Sequence, residues 1–346
     1  MKGCRPVAAR MRPGLSWAVL VTVGWLSGCT LAQPEYAPFE SGPWEVRHND
    51  SILITDTTDN REIKVQVAWP AGAAESAGPF PVVVFSHGAF CFPQQYRNVA
   101  DHWVSRGYVV IFPNHNDSPN LGKLAPADVQ TLLQTRVADM SAVIDSLPAI
   151  QIELPDLDGQ VDAGRVAVAG HSFGGMIAMI KFGLRMVDAQ GVPQPGYADP
   201  RFKAAVIMSG VGEMGAADSL PGQPYMAANA FDGLRAPLLA SGGTLDEGNV
   251  GTGKTYPWQW RMGGYTLAPS GEKYSLVLQD ADHYLGGLIC RENRGGPADP
   301  VAVRTVSGVQ QAFLDAYLKN DSAALSWLQA ADLVGVSEGR GTLEHK

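Results

Sequence analysis

One short segment constrains the fold of this chain more than any other. The sequence Gly-His-Ser-Phe-Gly at 170–174 lies directly between a strand pattern at 166–169 and a helix pattern at 174–186. A serine in such a tight strand-to-helix turn is held in strained backbone geometry with its Oγ exposed, and the flanking glycines let the strand and the helix approach closely. The segment therefore predicts that Ser172 is a nucleophile.

The surrounding chain alternates between strand patterns and helix patterns. Short, mostly apolar runs bounded by turn residues are typical of buried parallel strands. They lie at 82–85, 109–112, 166–169, 205–208, 238–241 and 274–278. Residues 63–69 instead alternate strictly between apolar and polar side chains, which indicates a half-exposed antiparallel strand at an edge.

Helix patterns separate these strands. Apolar residues keep a period of 3.6 over 129–147, and further helices are predicted near 96–103, 174–186 and 303–318. Strands that alternate with helices predict an α/β fold with a mostly parallel, doubly wound sheet and helices on both faces. Functional sites of such sheets lie beyond the carboxyl ends of the strands.

The chain of 346 residues, 45% of them hydrophobic, can bury one large core. We therefore predict a single domain over 44–335 and a flexible tail over 336–346. Three stretches without periodicity interrupt the domain and are predicted to be substrate-facing insertions. They lie near 188–202, 211–235 and 247–272.

The first 28 residues have the layout of a secretory signal, with four basic residues before an apolar stretch at 15–26. The stretch ends in Leu-Ser-Gly-Cys at 26–29, which resembles the lipobox of bacterial lipoproteins and predicts lipidation of Cys29. Residues 29–43 would then form a tether to the cell envelope, and Thr30 after the cysteine favours the outer membrane. Ordinary secretion with cleavage nearby, or an uncleaved anchor, is the alternative.

The charge of the chain argues against one class of partner. The net charge is −8, and no dense stripe of Lys and Arg could follow a phosphate backbone. Nucleic-acid binding is therefore not expected, and contact with a membrane is expected only through the lipid anchor.

The four cysteines are consistent with export. Cys4 would leave with the signal and Cys29 would carry the lipid, so Cys91 and Cys290 remain as the only pair in an oxidising compartment. We predict a disulfide between them, with two separately buried thiols as the alternative. Neither cysteine has the repeated Cys-x-x-Cys spacing of a zinc site.

A serine nucleophile requires a histidine to take its proton and an acid to orient that histidine. The strand at 238–241 leads into Asp246, and the strand at 274–278 leads into His283. The order Ser, Asp, His along the chain is that of the α/β-hydrolase fold. Other carboxylates that could serve as the acid are Glu213, Asp280 and Asp282.

Negative charge on the substrate carbonyl needs preorganised N–H donors, one after the nucleophile and one in the loop after the third strand. Phe173 follows the nucleophile. In the loop at 86–90 we assign Ala89 as the second donor, with Phe90 as the alternative.

Four motifs carry a resemblance to a known group of enzymes. They are Phe-Ser-His-Gly at 85–88, Gly-His-Ser-Phe-Gly-Gly at 170–175, Gly-Thr-x-Asp at 243–246 and Asp-His at 282–283. Over residues 60–318 the chain resembles the platelet-activating-factor acetylhydrolase and dienelactone-hydrolase-like branch of α/β-hydrolases, which also includes polyester-cleaving enzymes. The resemblance implies action on short-chain or oxidised acyl esters, without a metal or an organic cofactor. True dienelactone hydrolases typically have Cys at the nucleophile position, so Ser172 argues against lactone specificity.

Two further segments allow more than one interpretation. Four aromatic residues crowd the insertion after Asp246 and either line a substrate pocket or anchor a long loop to the core. They are Tyr256, Trp258, Trp260 and Tyr265. The polar segment at 115–118 is predicted to be a loop beside the pocket and not a metal site.

Together these features predict a serine carboxylic ester hydrolase that acts on short- or medium-chain esters. The alternatives are an amidase, a lipase or a polyester hydrolase with the same triad, and a surface lipoprotein that binds without turnover.

Overall fold

A computed structural model describes residues 36–346 except for several short gaps. The gaps are 73–77, 123–128, 189, 191, 195, 216–217, 219–224, 250–253 and 291–296. The predicted signal at 1–28 and the lipidation site Cys29 lie outside the described residues. Across the part of the chain that is described, no helix is long and apolar enough to cross a membrane.

Among the described residues, nine strands form one sheet, and two very short strands pair separately. The strands are β1 (Glu45–Asp56), β2 (Arg61–Ala71), β3 (Phe80–Ser86), β4 (Val109–Pro113), β5 (Val161–His171), β6 (Phe202–Met208), β7 (Leu238–Gly243), β8 (Gly248–Asn249), β9 (Thr255–Tyr256), β10 (Lys273–Leu278) and β11 (Gly341–His345). The order across the large sheet is β1-β2-β4-β3-β5-β6-β7-β10-β11. All neighbours from β4 to β10 are parallel, whereas β1, β2 and β11 make antiparallel pairs at the two edges.

Helices cover both faces of the sheet. They are α1 (Arg97–Ser105), α2 (Val129–Asp145), α3 (Leu147–Glu153), α4 (Phe173–Phe182), α5 (Gly263–Thr266), α6 (Pro300–Leu318) and α7 (Ser322–Ala330). Alternate side chains of a strand point to opposite faces. In β3, Val82 and Val84 pack in the core beneath α2 and α4, whereas Val83 and Phe85 pack in the core beneath α1 and α6. These central strands are apolar at consecutive positions because both of their faces are buried.

The predicted fold class is confirmed: the chain has the α/β-hydrolase fold, with a mostly parallel central sheet and helices on both faces. The predicted edge strand at 63–69 is part of β2, which is antiparallel to both β1 and β4. The predicted helix at 129–147 is divided into α2 and α3, and the helix after the elbow ends at Phe182, earlier than predicted.

The prediction of a flexible tail over 336–346 is wrong. Residues Gly341–His345 form β11, which pairs with residues 274–278 of β10 and places Leu343 opposite Leu276. The strand forms because β10 would otherwise leave a row of unpaired backbone N–H and C=O groups at the edge of the sheet. So short a strand, with Gly and Glu in it, has little strand signal of its own.

The described end of the predicted tether is also part of the folded domain. The Tyr36 hydroxyl donates to Asp315 at 2.8 Å, and the Phe39 ring lies edge-on to Trp327 with ring centroids 5.5 Å apart. Phe39 also packs against Gly308 of α6 so closely that a β-carbon at that glycine would lie 2.0 Å from the ring. The prediction that the tether extends to residue 43 is therefore wrong.

Replacing Phe39 by alanine tests this docking. Removing a half-buried aromatic ring is expected to lower the free energy of unfolding by about 2 kcal/mol. Urea unfolding of the full chain measures the change. Leu53→Ala is the matched control, because Leu53 is 60% exposed and its truncation is expected to change stability little. Equal effects of the two substitutions would contradict the docking.

Candidate active site

Ser172 occupies a strained turn between β5 and α4. Its φ of +56° and ψ of −120° lie in a region that residues other than glycine rarely adopt. At the two glycines of the motif, Gly170 and Gly174, neighbouring backbone atoms leave no space for a side chain. A β-carbon at Gly170 would lie 2.2 Å from the Gly174 carbonyl oxygen, and one at Gly174 would lie 2.0 Å from the Ser86 carbonyl oxygen. The glycines of the motif are therefore required for the close approach that presents the Ser172 hydroxyl.

The structure brings the three predicted residues together at the carboxyl ends of β5, β7 and β10. His283 Nε2 lies 2.9 Å from Ser172 Oγ, and His283 Nδ1 lies 2.8 Å from Asp246 Oδ1. Both distances are those of hydrogen bonds. These residues are separated by as many as 111 positions in the sequence, and the parallel strands bring them to one edge.

Asp246 is buried and is also held by a cation, Arg261, that sequence reasoning missed. Arg261 Nε donates to Asp246 Oδ1 at 3.0 Å. Burial opposes ionisation of the carboxyl group, but the hydrogen bond from His283 and the positive charge of Arg261 outweigh it and lower the pKa of Asp246 to about 2. The carboxylate is therefore ionised at neutral pH and keeps the proton of a neutral His283 on Nδ1, which leaves Nε2 free to accept the serine proton.

The alternative acids do not contact the His283 ring. Asp282 Oδ1 accepts the N–H groups of Tyr284 and Gly286 in the turn that follows. Asp280 accepts from the side chain of Gln279, and Glu213 is exposed.

His171, which precedes the nucleophile, connects two loops of the site. Burial, reinforced by the neighbouring His283 ring, holds the pKa of His171 well below its ordinary value. The neutral ring donates from Nε2 to the His283 carbonyl oxygen at 2.9 Å, so Nδ1 accepts from the Tyr96 hydroxyl, also at 2.9 Å. The Tyr96 oxygen in turn accepts the N–H of Gly88 at 2.8 Å. The sequence contained no signal for the part that Tyr96 plays.

Of the two residues considered for the second N–H donor, only Ala89 has an available amide. Phe90 donates its N–H to Asp117 Oδ2 at 2.9 Å, and Cys91 donates its N–H to the Gly88 carbonyl oxygen. Within the described residues, the N–H groups of Ala89 and Phe173 donate to no other group. Phe173 is the first residue of α4, where an N–H has no partner inside the helix.

Cys91 and Cys290 form a disulfide with their Cα atoms 5.2 Å apart. Cys91 closes the loop that contains Ala89, and Cys290 lies seven residues after His283. The bond therefore joins the loop of the candidate N–H donor to the loop of the candidate base.

The aromatic residues of the insertion after Asp246 mainly anchor that segment. Tyr256 stacks on Trp260 with ring centroids 4.7 Å apart, and Trp260 Nε1 donates to the Glu213 carbonyl oxygen at 2.7 Å. Trp258 and Tyr265 are half-buried against the same core. Among the described residues, no group of three His, Cys, Asp or Glu side chains is arranged to hold a metal ion.

Residues 38–190 match the family described as chlorophyllase, a family of esterases with the α/β-hydrolase fold. The matched segment contains Ser172 and both candidate N–H donors, covers less than half of the chain, and ends before Asp246 and His283. It does not distinguish among branches of these enzymes. The match agrees with the α/β-hydrolase fold of this chain.

Proposed function

We propose that this protein is a serine carboxylic ester hydrolase that forms an acyl-enzyme on short- or medium-chain esters. The observation that carries the proposal is the continuous hydrogen-bonded chain from Asp246 through His283 to Ser172. The similarity to an esterase family supports ester hydrolysis in general terms. An arrangement of nucleophile, base and orienting acid has no evident use in a protein that only binds.

In the proposed reaction, Ser172 Oγ attacks the ester carbonyl carbon while its proton passes to His283 Nε2. The oxyanion accepts hydrogen bonds from the N–H groups of Phe173 and Ala89. The tetrahedral intermediate collapses as the His283 cation donates its proton to the leaving alkoxide, and the alcohol departs. A water molecule, deprotonated by His283, then attacks the acyl-enzyme and releases the carboxylic acid and the free serine. Asp246 stabilises the His283 cation throughout both steps.

Hydrolysis of p-nitrophenyl butyrate and labelling by a fluorophosphonate test the nucleophile. Ser172→Ala is expected to reduce the hydrolysis rate by on the order of 10⁵-fold or more and to abolish labelling, because the attacking oxygen is lost. Ser326→Ala is the matched control, since this serine lies on α7 and bonds only to the Ser322 carbonyl oxygen of its own helix. Full labelling of the Ser172 variant would contradict the assignment.

Substrate class beyond the ester is a separate question. An amidase, lipase or polyester hydrolase would use the same residues, and a panel of anilides, long-chain triglycerides and polyester films would separate them from a short-chain esterase. A protein that binds without turnover would show no hydrolysis and no labelling of Ser172.

We also propose that the protein is exported and anchored in the bacterial cell envelope through Cys29. The disulfide supports this proposal, because such bonds persist in oxidising compartments and are rare in the cytosol. Radioactive palmitate supplied to cells that express the full chain is expected to label the wild type and Cys4→Ser, but not Cys29→Ser. Retained label in the Cys29 variant would exclude lipidation at that position.

The disulfide is expected to contribute strongly to stability. It connects residues 199 positions apart, and the chain-entropy model assigns about 5 kcal/mol to a closed loop of that length. The double variant Cys91→Ser, Cys290→Ser is therefore expected to unfold at a lower urea concentration. Dithiothreitol provides the control: it is expected to lower the midpoint of the wild type and to leave that of the double variant unchanged. Identical midpoints for wild type and double variant would contradict the expectation.

A further inference from the structure

Arg136 is a charged residue on the buried face of α2. It shares that face with Leu133, Val137 and Met140, and its side chain is completely inaccessible to solvent. Burying a guanidinium is costly unless opposite charge and hydrogen-bond acceptors compensate it. The position of Arg136 in the apolar stripe of the helix is itself the sequence signal that was missed.

One partner of Arg136 is Asp117, in the polar loop after β4. Arg136 Nε donates to Asp117 Oδ1 at 2.9 Å and Arg136 Nη2 donates to Oδ2 at 2.7 Å, which is the two-pronged geometry of a strong ion pair. Burial opposes ionisation of this carboxyl group, but the charge and hydrogen bonds of Arg136 hold the pKa of Asp117 well below its usual range.

The remaining donors of Arg136 bind the loop that contains Ala89. Nη1 donates to the His87 carbonyl oxygen at 2.6 Å, and Nη2 donates to the Gly88 carbonyl oxygen at 3.1 Å. The His87 ring supplies a second side-chain donor to the same Gly88 oxygen, from Nδ1 at 2.8 Å, beside the Cys91 N–H. Its other nitrogen accepts the His115 N–H, which assigns the proton of the neutral His87 ring to Nδ1.

The Gly88 carbonyl and the Ala89 N–H belong to the same peptide group. In a planar trans peptide the C=O and N–H bonds point in opposite directions. Because Arg136 and His87 hold the Gly88 oxygen on the buried side, the Ala89 N–H points away from them. Hydrogen bonds to the carbonyl also polarise the peptide and strengthen its N–H as a donor.

The Arg136–Asp117 ion pair also contacts Phe90, the residue after Ala89, and the side chain of Phe173. Asp117 Oδ2 accepts the Phe90 N–H at 2.9 Å, which holds the residue after Ala89. The guanidinium of Arg136 lies 4.7 Å from the centre of the Phe173 ring, so it also packs against the residue that supplies the first N–H. One buried cation therefore supports both candidate oxyanion donors.

We propose that Arg136, paired with Asp117, is a positioning residue that orients and polarises the Gly88–Ala89 peptide for stabilisation of the oxyanion. This inference rests on the proposed ester hydrolase function. Arg136 touches no reacting atom and acts through the peptide that it holds.

Arg136→Lys keeps the positive charge but loses the two parallel hydrogen bonds to Asp117. The lysine is therefore expected to leave the Gly88 carbonyl without a hydrogen bond of fixed direction. We expect kcat for p-nitrophenyl butyrate to fall by about 10- to 100-fold while KM changes by less than about threefold, since the lost interaction acts in the transition state. The inhibition constant of an aryl trifluoromethyl ketone, which forms an oxyanion with the serine, is expected to rise by a similar factor. Fluorophosphonate labelling taken to completion counts the active sites, so that kcat refers to folded enzyme.

Arg201→Lys is the matched control. Arg201 makes the same pair of hydrogen bonds to the carboxylate of Asp199, from Nε at 2.9 Å and from Nη2 at 2.6 Å. It lies away from the loop that contains Ala89. Its substitution is expected to leave kcat per labelled site within twofold of the wild type.

His87→Phe is a second variant that preserves the Arg136–Asp117 pair and removes the other side-chain donor to the Gly88 oxygen, leaving the Cys91 N–H in place. It is expected to lower kcat per site and to weaken trifluoromethyl ketone binding in the same proportion. If both variants have fewer sites but unchanged kcat per site, the residues have only a structural role and the inference is overturned. If the wild type itself hydrolyses no ester and Ser172 takes no label, the proposed function fails, and the inference fails with it.

Discussion

The hydrogen bonds that join Asp246, His283 and Ser172 depend on the parallel register of the central strands. β5, β7 and β10 all run in one direction, so their carboxyl ends lie at one edge of the sheet, and each of the three residues follows one of these ends. The strained turn at Ser172 is tolerated because Gly170 and Gly174 remove the side chains that would collide there. The sheet thus converts three distant positions in the sequence into one hydrogen-bonded chain.

The loops beyond the strand ends are restrained by buried charge pairs. Arg261 holds the carboxylate of Asp246, and Arg136 forms a fork with that of Asp117. Such pairs are costly to bury and contribute little net stability, but removing one partner leaves an uncompensated charge. Their role here is to orient groups of the proposed site: Arg261 holds the carboxylate of Asp246, and Arg136 holds the carbonyl of Gly88.

Two connections join the loop of Ala89 to the loop of His283. One is covalent, between Cys91 and Cys290, and the other is the hydrogen-bonded path from Gly88 through Tyr96 and His171 to the His283 carbonyl oxygen. The N–H donor and the base must keep a constant separation during the reaction, although they come from loops almost two hundred residues apart. A covalent bond and a buried polar path together oppose the relative movement of these loops.

The sequence by itself determined the fold class, the elbow at Ser172 and the candidates Asp246 and His283, because strand periodicity, glycine spacing and chain order are local properties. It left open whether Ala89 or Phe90 presents a free N–H, and it assigned the last residues to a tail and the segment before residue 44 to a tether. Only the tertiary structure decided these points. Whether the Phe90 amide is free depends on Asp117, and a strand forms at 341–345 because β10 has an open edge. Phe39 docks because Gly308 leaves space for its ring and Trp327 packs against it. Each of these outcomes depends on a partner distant in sequence, which local patterns do not encode.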